Sequence, residues 1–330
     1  MRGREEGKGA RRPEARVRKK TKRLSPEAGG PTNREKAEIV GGLRREGHPL
    51  KDALSVAGMA KSTYEYERRC LDRPEDPDDV RISARIRAIW LKSSRRYGYR
   101  KIALALRAAG ERVNHKRVLR TMLRMGISAE LAGHGKGYSS YRGSVGRTAP
   151  NLMRRDFHAD AFLRKCGTDV TEFALPSGKC YFSPVVDFSN GEILSYSLSE
   201  RPDMAMVMSM LAGLFARFPR VSGMMLHSDQ GWPYQMECYR RALRDHGVVQ
   251  SMSRKGNCLD NAETENLFSV MKKEMFYGHE KEFRSFAEFR DRLDEYVVWY
   301  NTERIKQRIG GAPVFHRSMH PLPLLCYNTI

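Results

Sequence analysis

Apolar positions recur at helical spacing through about residue 127 and at strand spacing after about residue 160, so the chain reads as helical units followed by an α/β domain. Ala37, Ile39, Val40 and Leu43 form one stripe, and Leu50, Ala53, Leu54 and Val56 another. Gly58 breaks the pattern, and Ser62 suits the N-cap of a short helix Thr63–Arg69. A helix-turn-helix and an ordinary helical hairpin fit residues 33–70 equally well. A second unit follows over 80–127. Ile82, Ile86, Ile89 and Trp90 start it, and Ile102, Leu104 and Leu106 continue it to Gly110. Asn114 then caps a helix Lys116–Met125.

Strands are predicted over 164–174, 179–187, Ile193–Leu198, Ser222–Ser228 and Val248–Met252, with Ser189-Asn190-Gly191 as a hairpin turn. Helices are predicted over Met204–Phe218, Tyr234–His246, Asn261–Tyr277 and Phe286–Glu303. Three strands at hairpin spacing and then alternation predict a mixed five-stranded sheet with flanking helices over 156–318. Between these parts, 71–79 is Pro- and acid-rich and 128–155 is Gly-rich and basic, and both read as linkers. Residues 1–32 read as a disordered basic tail, and 319–330 as a second tail.

Charge narrows the function. Lys plus Arg number 60 against 39 Asp plus Glu, a formal +21. Residues 1–30 hold 11 basic and 4 acidic residues, so most of the excess lies in the folded part. Nucleic acid is the expected partner. Lys116, Arg117, Arg120 and Arg124 share one helix face that suits a phosphate backbone. No apolar run of about 18 residues and no signal-peptide core is found. Six cysteines show no C-x-x-C spacing, so reduced thiols in a cytoplasmic, nucleoid-associated protein are expected.

Three acids carry the candidate chemistry. Asp169 lies within the first strand of the α/β domain, Asp229 just past the fourth, and Glu265 in the first turns of a long helix. Hard oxygen ligands from separate elements suit Mg²⁺, and two such ions, roughly 4 Å apart, serve an in-line phosphoryl displacement. On spacing alone, Asp260, Glu263 and Glu274 compete with Glu265.

The run His227-Ser228-Asp229-Gln230-Gly231, then Gln250 to Ala262, then Glu265-Asn266-Leu267-Phe268 closely resembles bacterial insertion-sequence transposases whose core is similar to retroviral integrases. More narrowly it resembles the downstream-frame (OrfB) product of the two-frame group. Thr168-Asp169-Val170-Thr171-Glu172-Phe173 matches the first-acid motif, and Tyr300-Asn301, Arg304, Pro313 and Arg317 the C-terminal motif. Tyr97-Gly98-Tyr99-Arg100 and Val113 to Val118 match an upstream helix-turn-helix. The resemblance covers about residues 35–317.

It implies a ribonuclease-H-like core, with Asp169, Asp229 and Glu265 as the catalytic and metal-binding triad for two Mg²⁺ ions, Mn²⁺ substituting. Glu263 drops out, since two residues earlier on a helix points about 200° away. Lys272, seven positions past Glu265, becomes a DNA contact, with Arg100, Lys116, Arg117, Arg120, Arg254 and Lys255. The implied activity is binding of the element's terminal inverted repeats, strand cleavage, and attack of a 3′ hydroxyl on target DNA, by an oligomer on DNA. The alternative is an impaired, DNA-binding regulator of transposition. No heptad run occurs in residues 1–60, which points to an upstream-frame partner or a frameshift fusion. One departure stands out: the family usually has Trp three residues before the first Asp, where this chain has Cys166.

Overall fold

The computed structural model describes residues 31–72, 76–131, 147–255 and 257–319. The predicted tails at 1–30 and 320–330, and most of the Gly-rich segment, lie outside the described residues. The chain divides after Val80 into two compact units.

The first unit contains helices α1 (Asn33–Arg45), α2 (Leu50–Ala57) and α3 (Lys61–Asp72). Thr32 and Glu35 form a reciprocal capping box at the start of α1, and Gly58 ends α2 in the left-handed conformation. Ala37, Val40, Ala53, Leu54, Ala57 and Tyr64 bury against one another. The third helix is longer than Thr63–Arg69, extending by two residues before Thr63 and three after Arg69.

Helix α4 (Pro77–Lys92), whose first four residues precede the division, leads into the second unit, where α5 (Tyr99–Ala108) and α6 (His115–Arg124) follow. Part of the predicted 71–79 linker is therefore helix. The Asp76 carboxylate accepts from the Asp78 N–H at 2.9 Å, and Pro77 is tolerated in a first turn. Asp76, Asp78 and Asp79, which suggested a linker, are helix-start acids. Asn114 caps α6 through the Lys116 N–H, as its position predicts. Ile82, Ile86, Trp90, Ile102, Leu106, Val118 and Met122 form the core of this bundle.

The α/β domain holds strands β1 (Lys165–Thr168), β2 (Thr171–Leu175), β3 (Gly178–Asp187), β4 (Ile193–Ser199), β5 (Met225–Ser228) and β6 (Val249–Met252). β1 and β2 both pair antiparallel with β3, in one continuous register from Cys166↔Asp187 to Leu175↔Gly178. They are one track broken at Asp169-Val170, so the predicted first strand is present but interrupted. The Asp169 carboxylate takes the Val170 N–H at 2.7 Å, which removes it from the ladder. Spatially the sheet runs β4, β3, then the β1/β2 track, β5 and β6, with β1, β5 and β6 parallel.

Helix α7 (Met204–Arg217) and, after one helical turn at Trp232–Gln235, α8 (Glu237–Asp245) belong to one layer. Val207, Met210, Leu214, Tyr234 and Tyr239 bury there against Val185, Leu226 and Met252. The opposite layer contains α9 (Ala262–Met271), α10 (Phe286–Thr302) and the short α11 (Pro313–Met319). Phe173, Phe182, Ile193, Leu267, Phe289 and Leu293 share its core. The long helix expected over Asn261–Tyr277 widens at Lys272–Phe276 into a π turn, which buries Glu274, Met275 and Phe276 in succession.

Two segments differ from a tail-and-linker picture. Residues 147–155 dock on the sheet edge: the Leu152 and Met153 N–H groups donate to Ser251 Oγ, and Asn151 Nδ2 to Asp260 at 3.0 Å. The helical bundle is also fastened to the α/β domain. Arg96 Nε donates to the Glu274 carbonyl at 2.8 Å, and the Tyr97 hydroxyl accepts from the Ile305 N–H at 2.8 Å. No helix among the described residues is long and apolar enough to cross a membrane.

Candidate active site

The parallel pairing of β1 with β5 matches Cys166 with Leu226 and Gly167 with His227. Continued by two residues, that register sets Asp169 beside Asp229 where both strands end. The third acid arrives from α9. An added Cβ on Gly167 would lie 2.5 Å from Thr264 Oγ1 and 2.4 Å from the Phe188 ring. Glycine is therefore what lets α9 lie directly on β1, and Glu265 follows Thr264 in that helix. Gly167→Ala is expected to cost about 1–3 kcal/mol by overpacking and to displace α9. Urea denaturation alongside an activity assay checks this; an unchanged midpoint with full activity would contradict it.

The electrostatics bind the three acids together. Burial raises the Asp169 pKa well above the carboxylate range; the Asp229 charge adds to this, as does Glu265. Burial likewise raises Asp229, against the Gly231 N–H that donates to its Oδ1 at 2.8 Å. Glu265 is exposed, yet partial desolvation and the Asp229 charge raise it too. Among the described residues no three Asp, Glu, His or Cys side chains are gathered closely enough to enclose an ion.

The rival acids are committed elsewhere. Asp260 is fully buried and receives Arg254 Nε at 2.8 Å, Arg155 Nε at 2.8 Å and Asn151. The Arg254 hydrogen bonds, first of all, hold its carboxyl far below the usual range. Glu274 receives Arg304, Lys101 and the Tyr296 hydroxyl. The Glu263 charge is felt, as a minor contribution, by Tyr300 and Lys306.

Several residues matter that spacing alone did not single out. Asn261, 3% exposed, donates Nδ2 to Asp169 Oδ2 at 2.9 Å, and its own Oδ1 has no hydrogen-bond partner. His227 joins the strand end to the loop: Nε2 lies 2.8 Å from the Asp260 carbonyl and Nδ1 2.8 Å from Ser251 Oγ. A carbonyl only accepts, so Nε2 carries the proton in the neutral ring that burial favours. Gln230 Nε2 holds the Ser253 carbonyl. Apart from Asp229, the side chains of His227 and Gln230 thus shape the loop that carries Asp260 and Asn261.

The predicted DNA contacts are dispersed. Arg100, Lys116, Arg120 and Lys255 are exposed and Arg117 is half-buried. Arg254 is spent on Asp260. Lys272 is half-buried with Nζ 5.3 Å from the centre of the Phe173 ring, and desolvation lowers its pKa. Cys166 is fully buried in the α7-side core, its Sγ 3.5 Å from Met224 Sδ. It alternates with Gly167, so its side chain points to the face opposite Thr264 and α9. The position usually held by Trp is a packing position.

Comparison with known proteins adds the lineage. Family models described as an integrase core domain match residues 162–258 and 265–320, and a model described as an HTH-like domain matches 77–132. The putative transposase InsK for insertion sequence element IS150 of Escherichia coli (strain K12) is 44% identical over 280 residues, covering 84% of this chain and 97% of the relative. An uncharacterized transposase-like protein of Haemophilus influenzae is 41% identical over 208 residues, 63% of this chain and 94% of that one. Among solved structures, the simian T-cell lymphotropic virus intasome in complex with PP2A regulatory subunit B56 gamma matches with a TM-score of 0.41 at 15% identity, covering 71% of this chain and 74% of that chain.

Proposed function

Because the chain belongs to the insertion-sequence transposases with an integrase core, we propose that Asp169, Asp229 and Glu265 form its catalytic triad for DNA cleavage and strand transfer. The observation that carries this is the β1–β5 register, which sets two acids side by side, with the Asp229 charge also raising Glu265 on α9. The donor set fits hard divalent cations: three carboxylates, with the Asp229 charge raising both of the others, next to an unpartnered Asn261 Oδ1. When bound, two Mg²⁺ ions, or Mn²⁺ in their place, would supply charge neutralisation and a more acidic attacking hydroxyl.

The chain's own groups do the rest. Asn261 orients Asp169, and the Gly231 N–H orients Asp229. The helix-turn-helix-like units and Lys272 grip the element's terminal repeats. Assembly as an oligomer on DNA, with an upstream-frame product or as a fusion, completes the reading. Loss of the usual Trp at Cys166 removes no ligand, which favours an active enzyme over a regulator.

The test supplies Mg²⁺ and a labelled duplex ending in the element's own inverted repeat. Nicks exposing a 3′ hydroxyl and joined product are expected, both lost in EDTA. Binding without cleavage, even with the upstream product added, would overturn the proposal in favour of a regulator. Asn261→Ala is expected to lower activity about 10–100-fold, as loss of a ligand's orienting partner does. A Mg²⁺ titration checks it: the shortfall should shrink as Mg²⁺ rises, and a wild-type curve would contradict the role.

A further inference from the structure

After Asp229 the chain turns at Gly231, and the single helical turn Trp232–Gln235 carries Tyr234 into the α7-side core. Gln250 Nε2 donates to the Tyr234 carbonyl at 2.7 Å, and Gln235 Nε2 to the Gln230 carbonyl at 2.6 Å, which pins this turn. An added Cβ on Gly231 would lie 2.8 Å from Asp229 Oδ1 and 3.5 Å from the Tyr234 ring. Carboxylate and ring therefore flank one backbone position. On β1, Thr168 alternates with Gly167, so its side chain shares the face of Cys166 and looks into the same core.

Tyr234 is 1% exposed, and its hydroxyl has no hydrogen-bond partner. A buried hydroxyl in that state costs stability and calls for a reason. Among the described residues, seven buried side-chain polar atoms lack a partner, and five of them belong to Thr168, Tyr234, Gln235, Asn261 and Thr264. Thr168 and Thr264 directly precede Asp169 and Glu265, and Asn261 already donates to Asp169. The unpaired atoms thus gather at the triad and do not scatter through the core. Burial, then the charges of Asp169 and Asp229, raise the Tyr234 pKa well above the ordinary phenol range; Thr168 eases this slightly without completing a hydrogen bond. The phenol keeps its proton and stands beside two acids as a donor.

We propose that the Tyr234 hydroxyl is a positioning group of the active site: once cations fix the carboxylates, it donates to Asp169 from the α7 side while Asn261 holds that acid from the α9 side. The proposal rests on the triad reading above and adds a residue to it.

The test compares full-length wild type, Tyr234→Phe and Tyr239→Phe in two readouts. One is the thermal midpoint with and without Mn²⁺; the other is cleavage of the end duplex across a Mg²⁺ series. Phenylalanine keeps the ring and removes the unpaired oxygen, so metal-free Tyr234→Phe is expected to melt about 2 °C above wild type. Mn²⁺ should then raise its midpoint less than it raises that of wild type. The Mg²⁺ concentration for half-maximal cleavage should rise about 10-fold or more, as loss of a ligand's orienting partner does. Tyr239→Phe removes a hydroxyl from the same core, its ring centre 5.4 Å from that of Tyr234, and should respond to both metals as wild type does. Equal metal responses in Tyr234→Phe and wild type would overturn this proposal alone, as would an equal shift in Tyr239→Phe. A metal-free midpoint several degrees below wild type with unaltered Mg²⁺ dependence would make Tyr234 a packing residue and also overturn it. A wild type that neither cleaves nor shifts its midpoint with metal would overturn the triad reading as well.

Discussion

Asp229→Asn is expected to reduce strand cleavage and transfer by about 10³-fold or more while leaving DNA binding intact. Several kcal/mol of transition-state charge stabilisation depend on the ions its carboxylate would hold, and about 4 kcal/mol is a factor of 10³. Asparagine keeps the shape and still offers an oxygen to the Gly231 N–H. Fold loss is therefore not the expected cause. The raised pKa values of Asp169 and Glu265 both owe part of their shift to the Asp229 charge. Removing that charge relieves repulsion, so the variant in metal-free buffer should melt at or above the wild-type temperature. A gain in stability with a loss of activity separates a functional acid from a structural one. Wild-type levels of joined product from the variant would sink the assignment.

The largest stability effect is expected at Glu274. Its carboxylate takes Arg304 Nε at 2.8 Å and Nη2 at 2.7 Å, with Lys101 and the Tyr296 hydroxyl alongside. Glu274→Ala strands the Arg304 guanidinium, itself 8% exposed. Breaking such a buried pair by removing one partner costs about 3–5 kcal/mol. Burial alone would raise the Glu274 pKa; the Arg304 hydrogen bonds and charge, then Lys101, reverse that and leave it lowered. A lowered folded value means the contribution is full above the unfolded carboxylate range and is lost as pH falls from there through the lowered folded value. Glu274→Gln should therefore lose stability at neutral pH and show a shallower decline on acidification than wild type. Parallel denaturation curves for the two at pH 7 and pH 4 would contradict this. Because Lys101 lies on α5, hydrogen exchange in α5 should also quicken in the variant.

Much of this architecture was legible in sequence because it rests on local rules. Helix stripes, the Asn114 cap and the Ser189-Asn190-Gly191 turn follow from periodicity and turn chemistry, and they fell where expected. The interrupted first strand did not, because the cause is a side-chain bond from Asp169 to the next amide. The helical start at Pro77 was hidden by acids that read equally well as linker or cap. Residues 147–155 looked like linker because their hydrogen bonds go to Ser251 and Asp260, about a hundred positions away. A similar distance concealed the bonds of Asn261 to Asp169 and of Arg155 to Asp260. Choosing Glu265 over its rivals needed the family motif in sequence; the partners of Asp260 and Glu274 support the same choice over those two.

The most direct measurement of the central claim is anomalous scattering from Mn²⁺ in crystals of the full chain bound to its end duplex. Peaks touching carboxylate oxygens of Asp169 and Asp229, with Glu265 turned in to share the site, are the expected result. Active protein whose Mn²⁺ peaks lie away from all three acids would contradict it.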